Sequence, residues 1–261
     1  MEIFKHEIRQ GRMALFVWTA AISFMIGICI MIYPEISSQM GEVSNMFAGM
    51  GSFSQAFGMD KINFGEFTGF FSVECGNVLG LGGAFFAAII GISALAKEEK
   101  EHTAEFLLAH PVSRAEIISG KLFAIAAQIV ILNVAVIAVT VLSVIAIGED
   151  VPVKTFAMLF FAYFMMQFET AAVTFGISAF LSHNSFGAGI AIAAVFYFLN
   201  IVANLTEQAE ILKYITPFGY TEGADIIMDN AINGRYLAAG IIFTVAGTVI
   251  SFWKYQRKDI L

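Results

Sequence analysis

Six long apolar runs constrain the fold of this 261-residue chain more than any other feature of its sequence. Each run is close to the ~20 residues that an α-helix needs to cross the hydrocarbon core of a bilayer. Backbone N–H and C=O groups in lipid must bond within their own segment, so the runs predict helices rather than strands. We therefore expect an all-α integral membrane protein, one domain over 1–261, with spans at about 13–33, 71–96, 122–147, 155–182, 186–205 and 236–253.

The charge content supports a membrane protein and argues against a nucleic-acid-binding one. Only 13% of the residues are charged, and 58% are hydrophobic. A soluble domain carries about a quarter charged residues. The net charge of −7 and the absence of a Lys/Arg-rich patch argue against a surface that binds along a phosphate backbone.

The distribution of basic residues predicts the orientation of the chain. Ten of the 14 Lys and Arg residues lie at the two termini and in the loops on their side of the membrane. Because cytoplasmic loops carry an excess of Lys and Arg, both termini are expected in the cytoplasm of a multi-pass protein of the cell membrane. The first 12 residues place Ile3, Phe4 and Ile8 on one face of a helix, which predicts a short amphipathic helix on the membrane surface.

The loop before the last span, residues 206–235, is expected on the external side. Its apolar faces and the interruption at Thr216, Pro217 and Gly219 predict two short helices that cap the bundle or dip towards the membrane.

Motifs for catalysis and for tight cofactor binding are absent from the sequence. The string AEIISGKL, residues 115–122, lacks the first Gly and the final Ser or Thr of a P-loop, so this chain has no P-loop for ATP. HExxH is absent, and the four His residues lie at or outside the edges of the spans. We therefore expect no catalytic site, no metal and no cofactor in this chain.

The charged segment KEEKEHTAEFLLAHPVSRAEIISGK, residues 97–121, stands between the second and third spans. Thr103 is suited to cap a short helix that carries an apolar ridge at residues 106–108 between acidic flanks. Pro111 breaks that helix, and Ser113 with Glu116 matches a capping box that starts the next one. An exposed apolar ridge on a helix suits docking in the groove of a partner, although the loop could instead pack back on the bundle.

The same segment resembles the permease subunits of type-2 ABC exporters. The pattern E-x-x-x-x-T-x-E-x-L-L-x-x-P-V-S-R is followed by Lys121, and His102 replaces the Gly that is usual before Thr103. The resemblance extends over the six spans and implies that the segment is a coupling helix that docks on a separate ATPase. The implied docking residues are Glu98, Thr103, Glu105, Phe106, Leu107, Leu108, Pro111 and Arg114.

From this resemblance we expect a transmembrane subunit of an ATP-driven exporter. Its partners would be two copies of an ATPase, which would hold ATP and Mg, a second copy of this permease or a related one, and membrane lipid. The Phe- and Met-rich external loops favour an amphipathic peptide as cargo, such as a toxin, a bacteriocin or a peptide antibiotic. An ATP-independent transporter or channel, or a membrane scaffold or sensor, are the alternatives.

Two acidic residues and two glycines within the spans are further candidates for the conduit or a subunit interface. A charge near the middle of a bilayer costs about 2.5–3.5 kcal/mol, so Glu169 is expected to avoid lipid. It would either meet cargo or hold helices together by hydrogen bonds. Glu74 lies near the end of its span, where water reaches it. Gly76 and Gly80 form a GxxxG pattern that permits close approach of a second helix.

Overall fold

The protein is described by a computed structural model that covers residues 2–48, 50–56, 59, 61–63, 65–100, 113–150, 152–181 and 186–257. At residues 38–48 and 97–100 it describes the backbone alone. Among these residues all regular structure is helical, and six helices are long and apolar enough to cross a membrane. The prediction of an all-α membrane protein with six spans is thereby confirmed.

The spans follow the apolar runs along the chain. The first lies in α1 (Glu2–Ala48), and a short α2 (Ser52–Ala56) follows it. The second consists of α3 (Phe67–Cys75), a π-helical segment (Gly76–Leu81) and α4 (Gly82–Lys100). The third to fifth are α5 (Arg114–Ile147), α6 (Val153–Ser178) and α7 (Phe186–Leu205). A 3-10 helix (Glu207–Tyr214), α8 (Gly223–Asp229) and α9 (Gly234–Gln256), the sixth span, complete the chain.

The N-terminal residues do not form a separate helix, contrary to the expected boundary at residue 12. The helix α1 begins at Glu2 and continues through this position into the span. Ile3 packs on Gly120 of α5, and the Lys121 ammonium donates to the Glu7 carboxylate at 2.8 Å. The apolar face of this segment is thus used against the third span, and its placement on the membrane surface is not confirmed.

The second and fourth spans form the centre of the bundle. About two-thirds of their apolar stretches are buried, 67% and 61%, whereas no other span exceeds 33%. The helix α6 packs against α4 on one side and α9 on another. Phe71 stacks on Phe156 with ring centroids 4.3 Å apart, where these two spans meet. Many apolar side chains of the outer spans stay exposed, as expected of surfaces that face lipid or another subunit.

The loop before the last span contains two short helices, as the sequence predicts. The first is the 3-10 helix, which Thr206 caps by accepting a hydrogen bond from the Ala209 N–H at 3.3 Å. The buried residues 216–221 separate it from α8. Thr216 fixes this turn to the fifth span, because its hydroxyl donates to the Phe196 carbonyl at 2.7 Å. The loop therefore packs into the end of the bundle that is opposite to the termini.

Candidate functional site

A small polar cavity lies where this loop packs against the spans. Its volume is about 50 Å³, and five elements supply its polar lining: α3, the π-helical segment, α6, α7 and the loop before α8. The polar side chains among its walls are Ser72, Asn77, Tyr163, Tyr197, Asn200, Thr221 and Glu222. A cavity of this size has room for roughly three or four waters, since one water needs about 10–15 Å³ by the same measure.

Glu222 is the charged residue of this cavity, and its position follows from the start of α8. It is the residue before the helix, yet its side chain does not cap the helix N-terminus. Its Oε2 instead accepts hydrogen bonds from the Asn204 amide at 2.9 Å and from the Asn200 amide at 3.5 Å. Burial raises the pKa of Glu222 above its usual range, and the Asn204 hydrogen bond opposes this only in part.

The side-chain oxygen of Asn200 is a second hydrogen-bond acceptor in the cavity. Its side chain is 8% exposed, and its Oδ1 accepts no hydrogen bond from any residue that the structure describes. A buried polar atom without a partner is costly, so such an atom in a native fold calls for water or another ligand.

The π-helical segment forms one wall of the cavity and brings Tyr163 into it. A Cβ added at Gly76 would lie 2.9 Å from the Tyr163 hydroxyl, and one at Gly80 would lie 3.0 Å from its ring. The GxxxG pair is therefore filled by Tyr163 of the same chain, and a role of these glycines between subunits stays a prediction. Single-turn π-helices inside spans are frequent at functional sites.

An open groove of about 190 Å³ adjoins the polar cavity, and Glu222 lines both. The charged residues of this groove are Lys61, Glu207, Glu210, Lys213 and Glu222. Both lysines pair with Asp225 of α8, at 3.0 Å and 3.4 Å. Glu222 thus stands between the groove and the cavity.

Glu169 is not among the residues that line the polar cavity, and its partner is Tyr220. The carboxylate is 2% exposed and accepts a hydrogen bond of 2.8 Å from the Tyr220 hydroxyl. A Cβ added at Gly240 of α9 would clash with the same carboxylate, so a side chain there would displace it. The hydrogen-bond donor lies in the loop before the last span, and both roles that the sequence allowed, contact with cargo and the holding together of helices, stay predictions.

Glu74 is half-buried where the first and second spans meet. The Cys29 thiol donates to its Oε2 at 3.6 Å. Glu74 and Glu169 thus have different hydrogen-bond partners, Cys29 and Tyr220 respectively.

The predicted coupling helix falls outside the described residues, as do Thr103, Glu105, Phe106, Leu107, Leu108 and Pro111. The backbone at Glu98 continues α4, without a described side chain. The predicted capping box is confirmed, since Ser113 and Glu116 bond to each other's backbone N–H groups. Arg114 donates to the carbonyls of Tyr255 and Gln256 at 3.0 and 3.1 Å. The end of the segment is therefore fixed to the last turn of the sixth span.

The residues of the polar cavity were missed by the sequence analysis. Glu222 is one of several acidic residues in the loop before the last span, and Asn200 and Tyr163 lie in apolar runs where polar residues are ordinary. The sequence feature that could have indicated this cavity is Glu222, which precedes Gly223 in the turn between two short helices. The burial of Glu222 depends on tertiary packing, which the local sequence does not specify. Within the described part of the chain, no group of three or more His, Cys, Asp or Glu residues is placed to hold a metal ion.

Comparison with known proteins gives one match. A family model described as "ABC-2 family transporter protein" matches residues 1–260, which is nearly the whole chain. Neither a curated protein nor a solved structure matches it.

Proposed function

Because this chain belongs to the ABC-2 transporter family, we propose that it is the membrane subunit that forms the path of an exporter and couples to a separate ATPase. The observation that carries the proposal is the match over residues 1–260, which includes all six spans. A membrane subunit of an ABC transporter requires an ATPase partner, and this sequence has no P-loop of its own.

The proposed contact with the ATPase is the segment that joins the second and third spans. It leaves the bundle at the end of α4 and re-enters at the capping box of α5. The second span is one of the two central spans, and Arg114 binds the start of the third span to the end of the sixth. A displacement of this segment would therefore act on three spans at once.

The proposed mechanism is a change between two arrangements of the spans. ATP and Mg would bind to two ATPase copies, whose closure moves the coupling helices of this chain and of a second permease. Such a change requires the nucleotide states to bind the two arrangements with different affinity. The cargo that we propose is an amphipathic peptide, on the strength of the Phe- and Met-rich loops and the apolar surfaces of the spans.

The experiment is co-purification with the ATPase encoded beside this gene. The chain and the ATPase are co-expressed and purified in detergent, and complex formation and ATP hydrolysis are measured. Glu105→Gln and Leu108→Ala remove a charge and part of the apolar ridge from the proposed docking helix. We expect both to weaken association, and Glu207→Gln, which removes one charge on the opposite side of the bundle, to leave it unchanged.

The proposal fails if no ATPase associates with the unaltered chain. It also fails if Glu105→Gln and Leu108→Ala together leave association and ATP hydrolysis at their original values. An equal loss in the Glu207→Gln control would show that the effect does not belong to the docking helix.

A further inference from the structure

The chemistry of the polar cavity beside Glu222 identifies the kind of group that fits it. Two groups of its walls act as acceptors, the Glu222 carboxylate and the Asn200 Oδ1 without a partner, and the Asn77 amide and the hydroxyl residues of the lining both donate and accept. Among the described residues, no Lys or Arg lines it. An anion would meet an unfavourable carboxylate, whereas a group with a positive charge and several N–H donors would satisfy these acceptors.

Neither of the two nearby lysines forms a salt bridge with Glu222. Lys213 and Lys61 both bond to Asp225 rather than to Glu222. Within the described part of the chain, the partners of the Glu222 carboxylate are the neutral amides of Asn200 and Asn204. Glu222 has no salt bridge to a described residue, and the nearby Lys213 charge offsets only part of the burial that raises its pKa, so a bound cation would offset the remaining cost.

The size of the cavity restricts the cation. A volume of about 50 Å³ suits a compact head such as a CH2–NH3⁺ group. The guanidinium of Arg is planar and carries five N–H donors in a fixed fork, whereas an ammonium is a compact charge with three donors. A divalent metal would favour several carboxylate ligands, but this cavity supplies one.

We propose that this cavity binds a primary ammonium group, the head of a lysine side chain or of a peptide N-terminus, with Glu222 and Asn200 as its acceptors. The groove outside Glu222 provides the approach, and its exposed Glu207 and Glu210 attract cations. The aromatic rings of Tyr163 and Tyr197 add favourable contacts with the positive charge. The inference rests on the proposed peptide export only for the source of the ammonium group.

The test uses the full chain purified in detergent, with its thermal unfolding followed at constant ionic strength. The probes are methylammonium, potassium and tetramethylammonium chlorides. Methylammonium donates three hydrogen bonds, whereas the other two cations donate none. We expect methylammonium alone to raise the unfolding temperature in a saturable manner. Equal stabilisation by all three cations would mean general screening of the acidic groove, and no stabilisation would mean that only water fills the cavity; either result overturns the proposal.

Two variants locate the binding. Glu222→Gln keeps the shape of the side chain and removes its charge, and we expect the apparent affinity for methylammonium to fall roughly ten-fold or more, as for a lost hydrogen bond to a charged group. Glu149→Gln removes the same charge from an exposed loop outside the groove and the cavity, and we expect less than about a two-fold change. An equal loss in both variants would overturn the assignment to the cavity.

A measurement on the unaltered protein keeps the proposal testable if Glu222→Gln does not fold. Protonation of Glu222 removes the charge that holds the ammonium group, so affinity should fall as the solution is acidified. Burial raises the pKa of Glu222, so the fall should begin at a higher pH than for an ordinary carboxyl group. Other titratable groups facing Glu222 are Asp225, Lys213, Tyr163 and Tyr197. An affinity that does not change with pH would contradict the proposal.

Two further probes distinguish the sources of the ammonium group. N-acetyl-lysine methylamide carries only the side-chain ammonium, whereas glycine amide carries only the N-terminal one. Stabilisation by either supports the proposal and identifies the source, and stabilisation by neither overturns a peptide as the occupant. ATPase association is measured on separate samples, so a chain that binds its ATPase but no ammonium would refute this inference alone.

Discussion

At the scale of single residues, the environment of Glu169 could be predicted from the sequence only in part. Its place in the middle of an apolar run predicts that it avoids lipid, because a charge there is costly. The residue that satisfies it could not be predicted, since Tyr220 follows 51 residues later in a loop that folds back into the bundle. Hydrogen-bond partners so distant along the chain are fixed only by tertiary packing.

Tyr220→Phe is expected to destabilise the protein by about 1–3 kcal/mol, because the buried Glu169 carboxylate loses its hydrogen-bond donor. Tyr236→Phe is the matched control. The Tyr236 hydroxyl also donates to a carboxylate at 2.8 Å, that of Glu210. Because Glu210 is exposed, its carboxylate binds water when the hydroxyl is removed. The measurement is the thermal unfolding midpoint of each variant in the same detergent. Equal losses in the two variants would contradict a special role for the buried pair.

Glu222 should make stability depend on pH. Its pKa is raised in the folded protein, so folding favours the protonated carboxyl group. The corresponding stability is present below the ordinary glutamate pKa, near 4.5, and is lost as the pH rises through the folded value. We therefore expect the unfolding midpoint of the unaltered protein to fall relative to Glu222→Gln as the pH is raised over this range. A constant difference between the two would show that the carboxyl group is not perturbed.

At the scale of helices, the spans could be predicted and their interruption could not. Long apolar runs specify a crossing helix because lipid leaves the backbone no other partners. The π-helical segment at Gly76–Leu81 contains the two glycines of the GxxxG pattern and Asn77, but glycines recur along the following helix, so they did not distinguish a π-helical turn from a helix contact. The continuation of α1 through residue 12 was missed because packing on α5, and not the amphipathic pattern alone, determines where the segment lies.

Arg114→Ala should release the end of the sixth span. The guanidinium satisfies two carbonyls in the last turn of α9, where helix C-termini have free acceptors and favour positive charge. Hydrogen–deuterium exchange should become faster in a peptide that covers residues 250–257, by roughly two- to ten-fold for the loss of about 0.5–1.5 kcal/mol. Lys5→Ala removes an exposed ion pair with Glu2 and should leave that exchange unchanged. Equal exchange in all three proteins would contradict the proposed link.

At the scale of the whole molecule, the two ends of the bundle have different chemistry. The end with the termini carries the Arg114 link and the segment proposed to meet the ATPase. The opposite end carries the acidic groove and the polar cavity, closed by the loop that packs between spans. The central second span reaches both ends, since its π-helical segment lines the cavity and its last residues lead into the docking segment. A change of its position would connect the two sites.

Labelling of single cysteines in intact cells tests which end faces outward. The native Cys29 and Cys75 are first replaced by Ser and Ala, and a cysteine is then placed at Gln208 or at Gln256, both of which are exposed. The excess of basic residues on the side of the termini predicts that this side is cytoplasmic. A membrane-impermeant maleimide should therefore label the Gln208→Cys protein in intact cells and the Gln256→Cys protein only after permeabilisation. The reverse pattern would place the groove in the cytoplasm and would remove the docking segment from the reach of a cytoplasmic ATPase, which would contradict the proposed coupling.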